Sequence, residues 1–264
     1  MYNDTVLPNA MESFDEFARR AAGKRVVFFL DYDGTLTPIV ARPELAVLSA
    51  GMRETVTELA ALSTVAIVSG RDRQDVEKLV QIDSLFYAGS HGFDIGGPRG
   101  RQLQHEEGAS AIPRVERAEV ELQAALQSIA GVIIERKKFS VAVHYRLVRE
   151  EDLKTIKISV DEVLSRTSGL RKKDGKKVYE LLPDIEWDKG KAVRWLLEKL
   201  HPGDSGVLPI YVGDDTTDED AFRELRDSGV GIFVGASPPQ TLARYALRNP
   251  GEVEAFLRRW VARG

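Results

Sequence analysis

The apolar positions of the chain fall into two rhythms. Val26 to Leu30, Thr64 to Val68, Leu85 to Ala88, Leu208 to Val212 and Val230 to Val234 are short apolar runs, each followed by polar residues or glycine. Runs of this length and continuity mark strands covered on both faces, as in a parallel sheet. Between them, Ala50 to Leu62, Asp72 to Val80 and about Asp218 to Arg226 carry apolar residues at helical spacing, and Glu252 to Ala262 closes the chain as an amphipathic helix. Strand, helix and strand from Val26 to Val68 make a βαβ unit, right-handed by default. The middle of the chain reads differently. Pro113 to Ala130 predicts a long helix, Val132 to Glu135 and Phe139 to Arg146 an antiparallel pair, Glu151 to Thr167 another helix, and Lys176 to Leu182 a further strand. Helices beside hairpin strands predict an α+β module inserted in a doubly wound α/β core, the core over residues 1–103 and 188–264 and the insertion over 104–187.

The polar residues narrow the chemistry. With 264 residues, 43% hydrophobic and 30% charged, the chain is a globular one of one or two domains, not a low-complexity or membrane sequence. It has no cysteine, which excludes disulfides, thiolate catalysis and cysteine-ligated metals. Oxygen ligands and four histidines are left for any metal, which favours a hard, Mg²⁺-like ion. A formal net charge of -4 gives no footprint for nucleic acid or an anionic membrane surface. Met1 to Arg25 has early acids and no continuous apolar run, so neither signal peptide nor anchor is predicted, and the cytoplasm is the expected compartment. Without secretion, Asn3-Asp4-Thr5 matches the glycosylation pattern by chance.

In an open parallel sheet, ligands bind beyond the carboxyl ends of the strands. Polar clusters stand at those ends: Asp31-Tyr32-Asp33-Gly34-Thr35, Ser69-Gly70-Arg71 and Gly213-Asp214-Asp215-Thr216-Thr217-Asp218, with Lys189-Gly190-Lys191 opening a helix. Each alone is weak, because an Asp-x-Asp pair is more often a cap or a solvated turn. Together they bring carboxylates from two strand ends to one place, where they repel unless a cation joins them. Mg²⁺, octahedral and oxygen-ligated, suits that site and is typically completed by a substrate phosphate. Ser69 offers a hydrogen bond to a phosphoryl oxygen and Lys189 a charge at a helix start. The set reads as a phosphoryl-transfer site. No Gly-x-x-x-x-Gly-Lys-Ser/Thr loop is present, so the nucleophile is a carboxylate or a metal-activated water.

The ordered set Asp-x-Asp-Gly-Thr-Leu-Thr, Ser-Gly-Arg, a helix-opening Lys and Gly-Asp-Asp-x-Thr-Asp-Glu-Asp-Ala-Phe resembles the haloacid dehalogenase-type phosphatases. The last motif, Gly213 to Phe222, is similar to that of the trehalose-6-phosphate phosphatases. So are Gly89-Ser90-His91-Gly92, Glu135-Arg136-Lys137 through His144-Tyr145-Arg146, and Gly175-Lys176 through Glu180-Leu181-Leu182-Pro183. The resemblance covers residues 25–234. The resemblance implies a haloacid dehalogenase-like core with a substrate-selecting cap, and the Mg²⁺-dependent hydrolysis of a small-molecule sugar phosphate, trehalose 6-phosphate, to trehalose and phosphate through an aspartyl-phosphate. Asp31 would be the nucleophile and Asp33 the general acid and base. Mg²⁺ would be held by Asp31, the backbone carbonyl of Asp33 and Asp214, with Asp215 or Asp218 behind or at the edge of that set. Ser69, Gly70, Arg71 and Lys189 would bind the phosphoryl group; Glu135, Lys137, Arg146 and Glu180 from the cap, with His91, would reach the sugar. Other sugar phosphates (sucrose phosphate, glucosylglycerol phosphate, mannosyl-3-phosphoglycerate), a phosphosugar mutase, and an inactive sugar-phosphate sensor or regulatory subunit of a synthase complex are the rival readings; the intact set Asp31, Asp33, Lys189 and Asp214 argues against the last. The sequence carries no signal for or against association with a trehalose-6-phosphate synthase.

Smaller expectations concern packing. Trp187 and Trp195 are expected to pack where the insertion rejoins the core, Asp215 and Asp220 to favour the start of the following helix, Arg171-Lys172-Lys173 with Lys176-Lys177 to form a solvated hairpin, and Arg146 to be free to pair with Glu135.

Overall fold

A computed structural model of the chain describes residues 7–40, 42–103, 106–175, 177–236 and 240–263. In chain order the elements are α1 (Phe14–Ala21), β1 (Arg25–Leu30), α2 (Ala50–Leu62), β2 (Thr64–Val68), α3 (Arg73–Val80), β3 (Phe86–Gly89), β4 (Asp94–Gly97) and β5 (Arg101–Leu103). The chain continues through α4 (Glu106–Leu126), β6 (Ile133–Arg136), β7 (Val141–His144), α5 (Leu153–Arg166), β8 (Leu170–Gly175) and β9 (Val178–Pro183). It ends with α6 (Lys189–Leu200), β10 (Val207–Gly213), α7 (Glu219–Glu224), β11 (Val230–Val234), β12 (Tyr245–Leu247) and α8 (Pro250–Val261).

Two compact units result, Met1–Leu103 with Trp187–Gly264, and Gln104–Glu186. Trp187, the last residue of the expected insertion, falls in the first unit, where its ring meets Phe93 with centroids 6.2 Å apart. The first unit is built on an eight-stranded sheet, counted among the described residues, in the order β12-β11-β10-β1-β2-β3-β4-β5. β12 through β3 run parallel, and β4 and β5 are antiparallel additions. Alternation along β1 sends Phe28 and Leu30 toward α2 and α8 and Val27 and Phe29 toward α6 and α7, so helices cover both faces. β1 sits at the centre, with β2 on one side and β10 on the other. That change in winding direction opens the crevice at the carboxyl ends where a doubly wound sheet binds ligands.

The second unit has its own core: Val115, Ala118 and Leu122 of α4 and Ile156, Val160 and Val163 of α5 against Val141, Val143 and Leu181 of a four-stranded sheet, β6-β7-β9-β8. The antiparallel pair expected at 132–146 is present, in the register Glu135↔Ala142. α4 begins seven residues before Pro113, the start expected from the sequence, and carries that proline inside. Tertiary packing of the α4 face outweighs the single hydrogen bond the proline removes. The lysine-rich run does form a hairpin strand, β8 against β9, though Lys176 lies outside the described residues, as does Asn3-Asp4-Thr5. No described helix is long and apolar enough to cross a membrane.

Candidate active site

The chain leaves β1 through a tight loop. The Asp31 N–H donates to the Val212 carbonyl at 2.9 Å, which carries the end of β1 in register past the end of β10. Leu36 and Thr37 N–H both donate to the Tyr32 carbonyl, at 3.0 and 3.1 Å, and Gly34 N–H donates to the Thr37 carbonyl at 2.8 Å. Gly34 has φ +82°, and a Cβ there would lie 1.9 Å from Asp214 Oδ2. Glycine is therefore required twice, by the left-handed backbone and by the approach of the second aspartate. Thr35 Oγ1 donates to Asp214 Oδ1 at 3.3 Å.

Asp31, Asp214 and Asp218 bring one carboxylate oxygen each within 4.8 Å of one another. Lys189, the first residue of α6, is almost fully buried and donates from Nζ to Asp31 Oδ1 and Asp218 Oδ1, both at 2.7 Å. Asp188 caps that helix by accepting the Lys191 N–H at 2.8 Å, and so aims Lys189 inward. Asp218 is fully buried: Oδ1 also accepts from Tyr211 Oη at 2.6 Å, and Oδ2 accepts the Asp215 N–H at 2.9 Å. Asp218 thus links Lys189 and Tyr211 through one oxygen. Asp215 is exposed; its carboxylate caps the Thr216–Asp218 turn by accepting the Thr216 N–H at 2.6 Å and is not part of the three-carboxylate group.

The electrostatics follow from burial. Desolvation raises Asp31 well above the ordinary carboxylate range; Lys189 opposes it, and Asp218 and Asp214 add repulsion. Asp214 is pushed up to about 6, by burial first and then by Asp218 and Asp215. Burial lowers Lys189, but the charges of Asp31 and Asp218 outweigh it and hold the ammonium above the usual lysine range. With all three carboxylates ionised, one buried ammonium leaves two negative charges uncompensated. All the available donors are oxygens, which suits a hard divalent cation.

Beside this group lies the Ser-Gly-Arg turn after β2. Ser69 is buried, and its Oγ accepts the Arg71 N–H at 3.1 Å. Arg71 reaches the loop after β1 and donates to both carboxylate oxygens of Asp33, Nε and NH2 each at 2.6 Å. The Asp33 side chain is thus turned to Arg71, outside the three-carboxylate group. Gly70 is overlain by the His91 ring, whose Cε1 would stand 2.8 Å from a Cβ, and the His91 N–H donates to the Ser69 carbonyl at 2.9 Å. His91 sits at φ +57° in the turn after β3, where it shapes the Ser69 loop. Two contributors, Tyr211 and Thr35, carry no local signal in the sequence. Tyr211 looked like one more apolar strand residue, and only the proximity of Asp218 reveals its hydroxyl as a support. Thr35 stood in a cluster already named, with nothing local to pair it to Asp214.

In the second unit, Glu135, Ala142 and Glu180 are register partners on β6, β7 and β9, so the two glutamates flank one small residue on a single sheet face. The packed residues Val141, Val143 and Leu181 alternate to the helix-covered side. Lys137 Nζ and Ser140 Oγ donate to Glu180 Oε1 at 3.2 and 2.7 Å. Glu135 is bonded by His144 Nε2 at 2.7 Å; the pairing considered for Arg146 is made by this histidine. Arg146 is exposed in the turn that follows β7.

Comparison with known proteins identifies the family and the fold. The trehalose-phosphatase family model matches residues 29–250. A curated trehalose 6-phosphate phosphatase of Zea mays, RA3, is 45% identical over 96% of the chain and 74% of its own length. A solved structure of Aspergillus fumigatus trehalose-6-phosphate phosphatase superposes with a TM-score of 0.69 at 26% identity, covering 98% of this chain and all of that one. A haloacid dehalogenase-like hydrolase from Bacteroides thetaiotaomicron shares the fold, with a TM-score of 0.62 at 15% identity over 91% of this chain and 99% of that one.

Proposed function

The chain belongs to the trehalose-phosphatase family, and from that premise we propose that it hydrolyses trehalose 6-phosphate to trehalose and phosphate through an aspartyl-phosphate formed on Asp31. It is a phosphoric monoester hydrolase with the haloacid dehalogenase-like fold. One observation carries the chemistry: a buried lysine bridging Asp31 and Asp218, with Asp214 alongside, at the carboxyl ends of adjacent parallel strands.

In the first step an Asp31 oxygen bonds to phosphorus as the sugar oxygen leaves, and Asp33 gives that oxygen its proton. In the second, Asp33 takes a proton from water, which attacks the aspartyl-phosphate, releases phosphate and restores Asp31. Lys189 orients Asp31 and offers charge to the phosphoryl group. Ser69 Oγ, which accepts from Arg71 N–H, keeps its own proton to donate to a phosphoryl oxygen. Asp31, Asp214 and the Asp33 carbonyl would hold Mg²⁺, with Asp218 acting through Lys189. Bound there, the ion would neutralise the crowded carboxylates and the charge of the phosphoryl group. Glu135, Lys137, Arg146 and Glu180 are proposed to recognise the sugar, the first, second and fourth as a group.

The test is a phosphate-release panel over trehalose 6-phosphate, sucrose 6-phosphate and glucose 6-phosphate, with Mg²⁺ present or chelated. Trehalose 6-phosphate should lead by at least tenfold in kcat/KM, chelation should stop turnover, and Asp31→Asn should abolish it while the fold survives the near-isosteric change. Turnover by Asp31→Asn near the wild-type rate would contradict the covalent route, and a lead by another sugar phosphate would reassign the substrate.

A further inference from the structure

We infer that Arg71 acts on the reaction through Asp33: the guanidinium is the positioning residue of the general acid, and the buried Tyr32 ring and the Ser69 turn are its mount. The inference rests on the acid–base role proposed for Asp33. It departs from the expectation that the arginine of Ser-Gly-Arg is spent on the phosphoryl group.

The geometry restrains Arg71 on three sides. Its Nε and NH2 meet the two oxygens of Asp33 at 2.6 Å each, a planar fork that fixes the position and plane of the group and takes one lone pair of each oxygen, leaving the other for the proton Asp33 transfers. Its guanidinium carbon lies 5.6 Å from the centroid of the Tyr32 ring. That ring cannot drift, because it is fully buried and its hydroxyl donates to the Ala46 carbonyl at 2.5 Å. The backbone is held as well, by Arg71 N–H on Ser69 Oγ at 3.1 Å and by the Arg71 carbonyl accepting the Ser90 N–H at 2.6 Å.

Asp33 needs such help. Its side chain is 40% exposed, whereas Asp31 and Asp218 lie inside the lysine cluster. A carboxylate on a loop, open to water and turned by two single bonds, spends little time aimed at a leaving oxygen unless a partner restricts it. Tyr32 also acquires a role here. It stands between the two aspartates of the motif, its side chain goes to the core, and that face is the platform under the arginine.

A lysine keeps the charge at position 71 but not the fork, so the contrast between positioning and phosphoryl binding is measurable with Arg71→Lys. Protonation of the leaving oxygen matters for an alkoxide of a sugar and little for p-nitrophenolate, a stable anion. The experiment compares kcat/KM, which reports the bond-breaking step, for trehalose 6-phosphate and p-nitrophenyl phosphate in wild type, Asp33→Asn, Arg71→Lys and the double variant, together with inhibition by inorganic phosphate. Asp33→Asn should lose at least tenfold more on the sugar phosphate than on the aryl phosphate. Arg71→Lys should show the same selective loss at smaller size, the double variant should be no worse than Asp33→Asn, and inhibition by phosphate should change less than threefold. Equal losses on both substrates in Arg71→Lys, weakened inhibition by phosphate, or a double variant in which the losses multiply would overturn the inference and return Arg71 to the phosphoryl group. If Asp33→Asn itself shows no selectivity for the poor leaving group, the acid assignment falls, and the positioning role with it.

Discussion

Gly34 shows how much can depend on a missing side chain. A Cβ at this position would enter the carboxylate of Asp214, and the φ of +82° adds the strain of a left-handed backbone. Gly34→Ala should therefore move Asp214 away from Asp31, and a misplacement of about 1 Å in a catalytic group costs roughly 10²-fold in rate. Phosphate release and thermal unfolding measured on the same preparation check this; a variant within threefold of wild-type activity would mean that Asp214 can relocate freely. Tyr211 makes the complementary case. Its hydroxyl donates to the fully buried Asp218, and burial raises its pKa, so it stays a donor across the working range. Tyr211→Phe removes one hydrogen bond to a charged group, worth roughly 1.5–3 kcal/mol. For a chain of this size that corresponds to a fall in Tm of about 3–12 °C, readable by calorimetry. Arg71 and Asp33 belong to the same scale: neighbours by two hydrogen bonds, although they are 38 residues apart in sequence.

At the level of elements, boundaries follow local chemistry where a cap or a breaker is present. α2, β2 and β11 occupy the residues expected from the pattern, and α6 begins at Lys189 because Asp188 supplies its cap. β4, β5 and β12 escaped the pattern. Asp94-Ile95-Gly96-Gly97 has one apolar side chain, and what makes it a strand is the antiparallel ladder to β3. β12 is three residues long and exists by pairing with β11. The sheet of the second unit supplies an element-scale test. Glu135 and Glu180 share one face, so Glu135→Ala and Glu180→Gln alter that face without touching the apolar one. A hydrogen bond to a charged group is worth roughly 1.5–3 kcal/mol, one to two powers of ten in kcat/KM. That loss should appear with trehalose 6-phosphate and largely vanish with p-nitrophenyl phosphate. Equal losses on both substrates would remove these glutamates from sugar recognition.

For the whole molecule, the crowded carboxylates make a prediction about pH. The folded-state pKa of Asp214, about 6, lies above the ordinary carboxylate value, and Asp31 is displaced in the same direction. A carboxyl raised in this way binds its proton more tightly in the folded state, so the metal-free protein is stabilised below the unfolded value, about 4, and loses that stability as pH rises through about 6. A divalent cation competes with those protons. The gain in Tm from saturating Mg²⁺ should accordingly be larger at pH 7.5 than at pH 5, and an equal or larger gain at pH 5 would speak against the site. The amino-acid sequence by itself determined the parallel core, the strand ends that carry polar residues and the kinds of chemistry those residues allow. Periodicity and local residue type are properties of a few consecutive positions, and they survive being read one segment at a time. The tertiary structure alone decided which carboxylates meet. It gave Lys189 to Asp31 and Asp218, turned Arg71 to Asp33 and His144 to Glu135, and recruited Tyr211 from a strand core. Each of those pairings joins separate elements or adjoining strands, and its energy depends on burial and on distances of a few ångströms that spacing along the chain does not encode.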